Sequence, residues 1–205
     1  VYIPELYKNE DQKEIQNFIH QHGFAILVNQ TNGKLWATHL PLLLEEKNGA
    51  QVLVGHLSKE NPQAESFKTH DEVLAIFSGA HSYISSSWYD HENVPTWNYT
   101  AVHIYGKLKL HSHDEAIEAL KRLVDTYEVN SEKPIRVADL SKKTMQQAKG
   151  IVSFEIEITT IEAKKKLSQN RDDKNYKNII KHLEKSNDFN SIEVAKEMKK
   201  NRPEI

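Results

Sequence analysis

Residues 36–63, WATHLPLLLEEKNGAQVLVGHLSKENPQ, decide how this chain folds. Asn48-Gly49 sits between two apolar runs, and both residues tolerate positive φ. The pair therefore predicts a tight hairpin turn joining a strand at 34–44 to one at 51–57. At the far end, Asn61-Pro62 reads as an N-cap followed by proline at the first helical position, opening a short helix through Phe67. Thr38, His39, His56, Ser58, Lys59 and Asn61 gather where the strands end and that helix begins.

Upstream, Thr31-Asn32-Gly33 predicts a second turn that brings a buried-type strand at 24–29 into the same meander. Residues 11–22 place Ile15, Phe18, Ile19 and His22 on one face of an amphipathic helix, ended at Gly23. Downstream, 73–78 reads as a strand and 79–90 (GAHSYISSSWYD) as a polar, aromatic segment. A long strand at 96–110 alternates Ala101, His103, Tyr105 and Lys107 with Val102, Ile104, Gly106 and Leu108; neither set is purely polar. Ser112-His113-Asp114-Glu115 is a capping box. The helix it opens turns Ala116, Ile117, Leu120, Leu123, Val124 and Tyr127 to the core. A helix at 137–149 ends at Gly150, and 151–158 (IVSFEIEI) is the last clear strand. Beyond Thr160 the chain reads as helical and polar, with a stripe of Tyr176, Ile179, Ile180 and Leu183. Many strands with hairpin connections and a few helices predict an α+β fold, an antiparallel β-barrel with peripheral helices and a helical C-terminal segment. The early connections are too short for the crossovers of a parallel sheet.

With 205 residues, 38% hydrophobic and 27% charged, the composition is that of a soluble globular protein. No run of about 18 apolar residues suggests a membrane span. The acidic N-terminal segment lacks the pattern of a signal peptide. Without cysteine there is no disulfide framework, thiolate metal site or Cys nucleophile, and cytoplasmic residence is expected. From Ala163 onward, 12 Lys/Arg stand against 7 Asp/Glu, a surplus of five in a chain of net charge −2. This segment reads as a solvated helical surface of mixed sign or as a contact for nucleic acid or an acidic partner. The composition shift divides the chain into 1–162, the barrel, and 163–205, a basic helical extension packed on the barrel or on a dimer partner.

The loop 56–61 (HLSKEN) combines a strand end, a hydroxyl, a lysine and a helix N-terminus. These groups suit an anion, and equally an ordinary capped helix with an exposed lysine. Glycine-rich phosphate motifs are absent. Trp88, Tyr89, Trp97, Tyr99 and Tyr105, interleaved with Ser85, Ser86, Ser87 and Asn98, suit a planar heteroaromatic ligand or a subunit interface. Eleven histidines raise a metal or haem reading. There is no H-E-x-x-H, however, and a His39–His56 pair without a carboxylate is incomplete for zinc. No G-x-S-x-G elbow supports a serine hydrolase.

Taken in order, YIPELY, ATHLPLLL, GHLSKENPQ, SSSWY with PTWNY, and KLSQNR resemble the PaiB-type FMN-binding negative transcriptional regulators, over nearly the whole chain. The resemblance implies a flavin-reductase-like split barrel, related to the pyridoxamine-phosphate oxidases, that forms a homodimer with FMN at the interface. It places Thr38, His39 and Leu40 on the strand flanking the isoalloxazine ring, and His56, Lys59 and Asn61 at the ribityl phosphate. Ser86, Trp88 and Asn98 would line the other side of the ring or come from the second subunit. Lys166 and Arg171 fall in a C-terminal segment that approaches the flavin in relatives. The implied function is negative regulation of degradative-enzyme synthesis and sporulation, with a flavin or redox sensor as the means. A flavin-dependent oxidoreductase is the alternative, and a haem-binding or haem-degrading split barrel a third. No helix-turn-helix is evident, so DNA contact is expected to be weak and salt-sensitive. No catalytic residue and no metal ligand are assigned.

Overall fold

The computed structural model describes residues 1–31, 33–69 and 72–204, and Asn32 of the predicted first turn lies outside the described residues. Asn48 and Gly49 adopt φ of 53° and 77°, the positive pair a two-residue hairpin turn requires, and close the Lys47↔Ala50 register. Among the described residues the sheet has seven strands: β1 (Lys8–Asn9), β2 (Phe24–Thr31), β3 (Lys34–Lys47), β4 (Ala50–Ser58), β5 (Glu72–Ile84), β6 (Thr96–Leu110) and β7 (Ile151–Lys166). Their order is β1-β7-β4-β3-β2-β5-β6, and β6 pairs back onto β7, so the sheet closes into an antiparallel barrel.

The barrel is split where β3 leaves β4. Leu42 donates its backbone N–H to the Gly23 carbonyl (2.8 Å), so even-numbered residues of β3 turn their backbone toward β2 and odd-numbered ones toward β4. The ladder with β4 runs from Lys47↔Ala50 to Leu42↔Gly55. The next odd position is Pro41, which has no N–H to donate. At the branch point, a Cβ on Gly55 would meet Leu42 Cδ2 at 2.5 Å and the Pro41 carbonyl at 3.2 Å. Only glycine allows this approach. Beyond it, His56, Leu57 and Ser58 follow β7 instead, opposite Ser153, Val152 and Ile151.

The helices are α1 (Gln12–Gln21), α2 (His113–Glu128), α3 (Lys142–Met145), α4 (Asp173–Glu184) and α5 (Phe189–Asn201). The capping box of α2 is present in both directions, Ser112 to Glu115 and back. The short helix expected through Phe67 is a 3-10 helix, Pro62–Thr69.

Several elements differ from the sequence reading. β5 continues through 79–84, because Ser82 occupies an inward position and is satisfied there by Ser191 Oγ (2.9 Å). A buried serine hides the alternation. β7 continues to Lys166, not helix, because Lys164 is inward and donates to the Tyr2 carbonyl. The helix expected at 137–149 is broken into Val137–Asp139, α3 and Gln146–Gly150, since Ser141 turns extended and caps a new start at Lys142, its side chain accepting from the Thr144 N–H. Gly23 does not end α1 through a left-handed residue. A Cβ there would meet the hydroxyl of the exposed Tyr127 side chain at 2.8 Å, which can move aside. Tyr127 itself is exposed, and α2 buries Ala119 against Val52 and Val54.

By contact the chain forms two compact units, residues 19–77 with 104–161, and residues 1–18 with 78–103 and 162–205. The first unit has a core that includes Leu27, Leu42, Leu53, Phe77, Ile104 and Ile156, with Phe67 packed edge-on to Phe154 (5.1 Å between centroids). The second packs the α4 stripe Tyr176, Ile179, Ile180 and Leu183 with Val194, Ala195 and Met198 of α5 and with Ile84, Tyr89 and Leu167. No helix among the described residues is long and apolar enough to cross a membrane.

One buried charge cluster braces the first unit. Glu155 is 3% exposed and accepts from Lys47 Nζ at 2.5 Å, with Lys109 Nζ at 3.3 Å and His111 Nε2 at 3.4 Å. Burial pushes this carboxyl up. The hydrogen bond and charge of Lys47, with Lys109 and His111, outweigh burial and hold the carboxyl below its ordinary 4.5. A depressed carboxyl contributes stability that is present above its unfolded value and lost as pH falls through the folded one. Glu155→Gln is expected to cost about 1–2 kcal/mol at neutral pH by removing the charge that Lys47, Lys109 and His111 share, with only the longer Lys47–Glu115 contact (3.8 Å) remaining to Lys47. It should also flatten the loss of stability below about pH 4.5. Urea unfolding over a pH series measures both; an acid limb as steep as wild type would contradict the assignment.

Candidate functional site

In the first unit, the split leaves the N-terminal half of β3 with one free edge. The backbone of Ala37 and His39 faces it, since both are odd-numbered and β4 has turned away. Residues 34–37 and 39 are exposed, including Leu35 at 80% and the indole of Trp36. Leu40 is buried and its backbone faces β2, so it holds the strand in place. The ring of His39 stacks on Phe24, 6.1 Å between centroids.

Thr38 and Asn61 meet across the opening, Asn61 Nδ2 donating to Thr38 Oγ1 at 2.8 Å. This single bond ties the helix start to the open strand. Gln63, fully buried, continues the link by donating to the Leu27 carbonyl (3.1 Å) and Asn29 Oδ1 (3.0 Å). His56 is half-buried, and burial lowers its pKa, favouring the neutral imidazole.

The helix-start amides are already engaged. Lys59 N donates to Gly150 O, Glu60 N to Ser58 Oγ, Asn61 N to Ser58 O, Gln63 N to Asn61 Oδ1 and Ala64 N to Asn61 O. Pro62 has no N–H. An anion at this loop therefore meets side chains, chiefly the Lys59 ammonium, which donates to the Lys149 carbonyl at 2.5 Å and keeps two further N–H groups. No sequence signal could show that residues 149–150 close over the loop.

The remaining candidates lie in the second unit. Asn98 is fully buried and exchanges hydrogen bonds with Ser168 Oγ (2.9 and 3.1 Å), which makes it part of that unit's core. Trp88 lies flat on His182 (5.0 Å, 2° between planes), and Ser86 belongs to the 3-10 turn Ser86–Trp88 capped by Ser85. Lys166 Nζ donates to the Trp97 carbonyl at 2.8 Å and to Thr96 Oγ1. Arg171 lies over the Tyr89 ring at 4.9 Å. Leu167 and Ser168 make the intervening turn, and Ser168 takes φ 62°, a left-handed conformation costing about 1–2 kcal/mol. Among the described residues no group of three His, Cys, Asp or Glu could hold a metal.

A closed antiparallel barrel with one strand pair split open is the fold of the flavin-binding split barrels. Two solved structures share it. The flavocytochrome Anf3 from Azotobacter vinelandii has a TM-score of 0.62 at 17% identity, over 86% of this chain and 78% of that one. The FAD and haem binding protein from Mycobacterium smegmatis has a TM-score of 0.60 at 14% identity, over 78% and 73%. In sequence, a family described as "Putative FMN-binding domain" matches residues 1–160. The Bacillus subtilis "Protease synthase and sporulation protein PAI 2" is 41% identical over 199 residues, 97% of this chain and 96% of that protein. The chain belongs to this PaiB-type FMN-binding family.

The Thr38–Asn61 bond gives a direct test of the site's geometry. Thr38→Val and Asn61→Ala should each destabilise the fold by about 1 kcal/mol. Their double mutant should fall short of the sum by about 0.5–1 kcal/mol, measured by urea unfolding. Strict additivity would show the two side chains do not interact.

Proposed function

We propose that this chain is an FMN-binding, PaiB-like negative transcriptional regulator of degradative-enzyme synthesis and sporulation, acting in the cytoplasm with the state of its flavin as the signal. The observation that carries the reading is the open edge of β3 beside the Thr38–Asn61 bond, in a chain of the FMN-binding family. The donor set fits the cofactor. The Ala37 and His39 backbone offers donors and acceptors to a planar polar edge, and Lys59 and neutral His56 suit a phosphate. Bound FMN would supply one- or two-electron redox chemistry.

The exposed Phe24, Leu35 and Trp36 on the β2–β3 hairpin support a homodimer with the flavin at its interface. Direct DNA binding has weak support. In the C-terminal segment Lys165, Lys174, Lys196, Lys199 and Arg202 are paired with Glu14, Asp90, Glu193, Glu184 and Asp173, which leaves little concentrated basic face.

FMN added to the purified protein is expected to bind in the micromolar range with quenching of its fluorescence, and riboflavin more weakly. Lys59→Ala should weaken FMN about tenfold and riboflavin little. Absence of any FMN binding would overturn the reading. The shared fold of a flavocytochrome favours a second one, a flavin-dependent oxidoreductase. Steady NAD(P)H oxidation with FMN present would select it. Haem is the lesser option, checked by a Soret band that depends on His39 or His56.

A further inference from the structure

The segment 166–171 (KLSQNR) forms a tight, internally bonded turn in the second unit. Leu167 is fully buried, its N–H donates to Gln169 Oε1 (2.7 Å), Gln169 Nε2 donates to the Lys165 carbonyl (2.5 Å), and Arg171 N donates to the Ser168 carbonyl (3.0 Å). This turn projects Arg171 over the ring of Tyr89, which is 8% exposed. Among the described residues, Arg171 Nε and the Tyr89 hydroxyl are both buried without a hydrogen-bond partner. Two such polar groups at one ring contact are costly unless something binds them.

Lys166 lies close enough to Lys164 and Arg171 to feel both charges. Lys164 Nζ donates to the Tyr2 carbonyl and lies over the Tyr99 ring at 5.1 Å, and Lys166 Nζ bonds to Thr96 and Trp97. Their neutral partners leave the charge uncompensated. The nearby carboxylates have partners of their own: Asp172 caps α4 and accepts from Asn175, Asp90 pairs with Lys174 and also accepts from Asn175, Glu14 pairs with Lys165 and Asp173 with Arg202. Burial, with the charges of Lys164 and Arg171, holds the Lys166 ammonium below its ordinary pKa, as expected of crowded cations lacking a counter-ion.

We infer that Arg171, Lys166 and the Tyr89 hydroxyl form an oxyanion site for inorganic phosphate or a phosphate monoester other than the flavin. A guanidinium can grip two oxygens of such a group. The phenol and the Nε–H supply the two unmatched donors. This site does not depend on the flavin reading of the first unit. The resemblance assigns Lys166 and Arg171 to FMN, and that is the competing outcome.

Equilibrium dialysis of labelled inorganic phosphate against the full chain, at fixed ionic strength and with or without saturating FMN, tests the site. About one phosphate per chain whose binding depends on Arg171 is expected, and this Arg171-dependent fraction is unchanged by FMN, which competes only for phosphate held by Lys59. Arg171→Gln should weaken it about tenfold or more, and Tyr89→Phe about threefold. Lys181→Gln, an exposed change of equal charge on α4, should have no effect. Displacement of the Arg171-dependent phosphate by FMN would make this the flavin's own phosphate seat and overturn the inference. So would equal weakening by Lys181→Gln, or no binding at about 10 mM phosphate. If Arg171→Gln fails to fold, Tyr89→Phe decides, since it removes only a hydroxyl. Failure to bind FMN at all would sink the flavin reading and leave the phosphate result standing.

Discussion

A missing hydrogen decides the shape of this barrel. Pro41 stands where β3 should next donate to β4, and it has nothing to donate. With that rung lost, and Gly55 permitting β4 to pass close over Leu42, β4 continues along β7 and β3 continues along β2. Across the opening, Asn61 bonds to Thr38. Every feature of the candidate flavin site follows from this divergence. Among the described residues, the end of the β3–β4 ladder before Ala37 and His39, the exposure of β3 and the place of the loop 56–61 all depend on it.

The fold was legible in the sequence where local chemistry dictates local geometry. Asn48-Gly49 demanded positive φ, Ser112 and Glu115 matched a cap, and the α4 stripe had helical spacing. It was illegible where polar residues face inward. Ser82 and Lys164 occupy buried strand positions through partners 109 and 162 residues away, and no window of sequence shows such partners. The site divided along the same line. Thr38 and Asn61 do meet, as their positions near the hairpin ends suggest. The helix amides that seemed ready for an anion are taken internally, one of them by Gly150. Asn98, polar and flanked by aromatics, is a core residue bound to Ser168.

Each unit holds buried polar groups of both kinds. In the first, Glu155 is matched by Lys47, Lys109 and His111, while Thr31 Oγ1 and Gln63 Oε1 have no partner among the described residues. In the second, Asn98 and Ser168 match each other, while Arg171 Nε and the Tyr89 hydroxyl have none among the described residues. Both units have well-packed apolar cores, so the unmatched groups do not reflect loose packing.

The interleaving of the second unit has a consequence for synthesis. Lys8 pairs with Lys164 and Asn9 with Ala163, and Glu14 pairs with Lys165. Residues 1–18 precede the other unit in the chain, yet their partners at 163–165 follow the whole of it. β1 therefore cannot pair until β7 has been made, and a partner distant in sequence, not local propensity, sets when this unit can close.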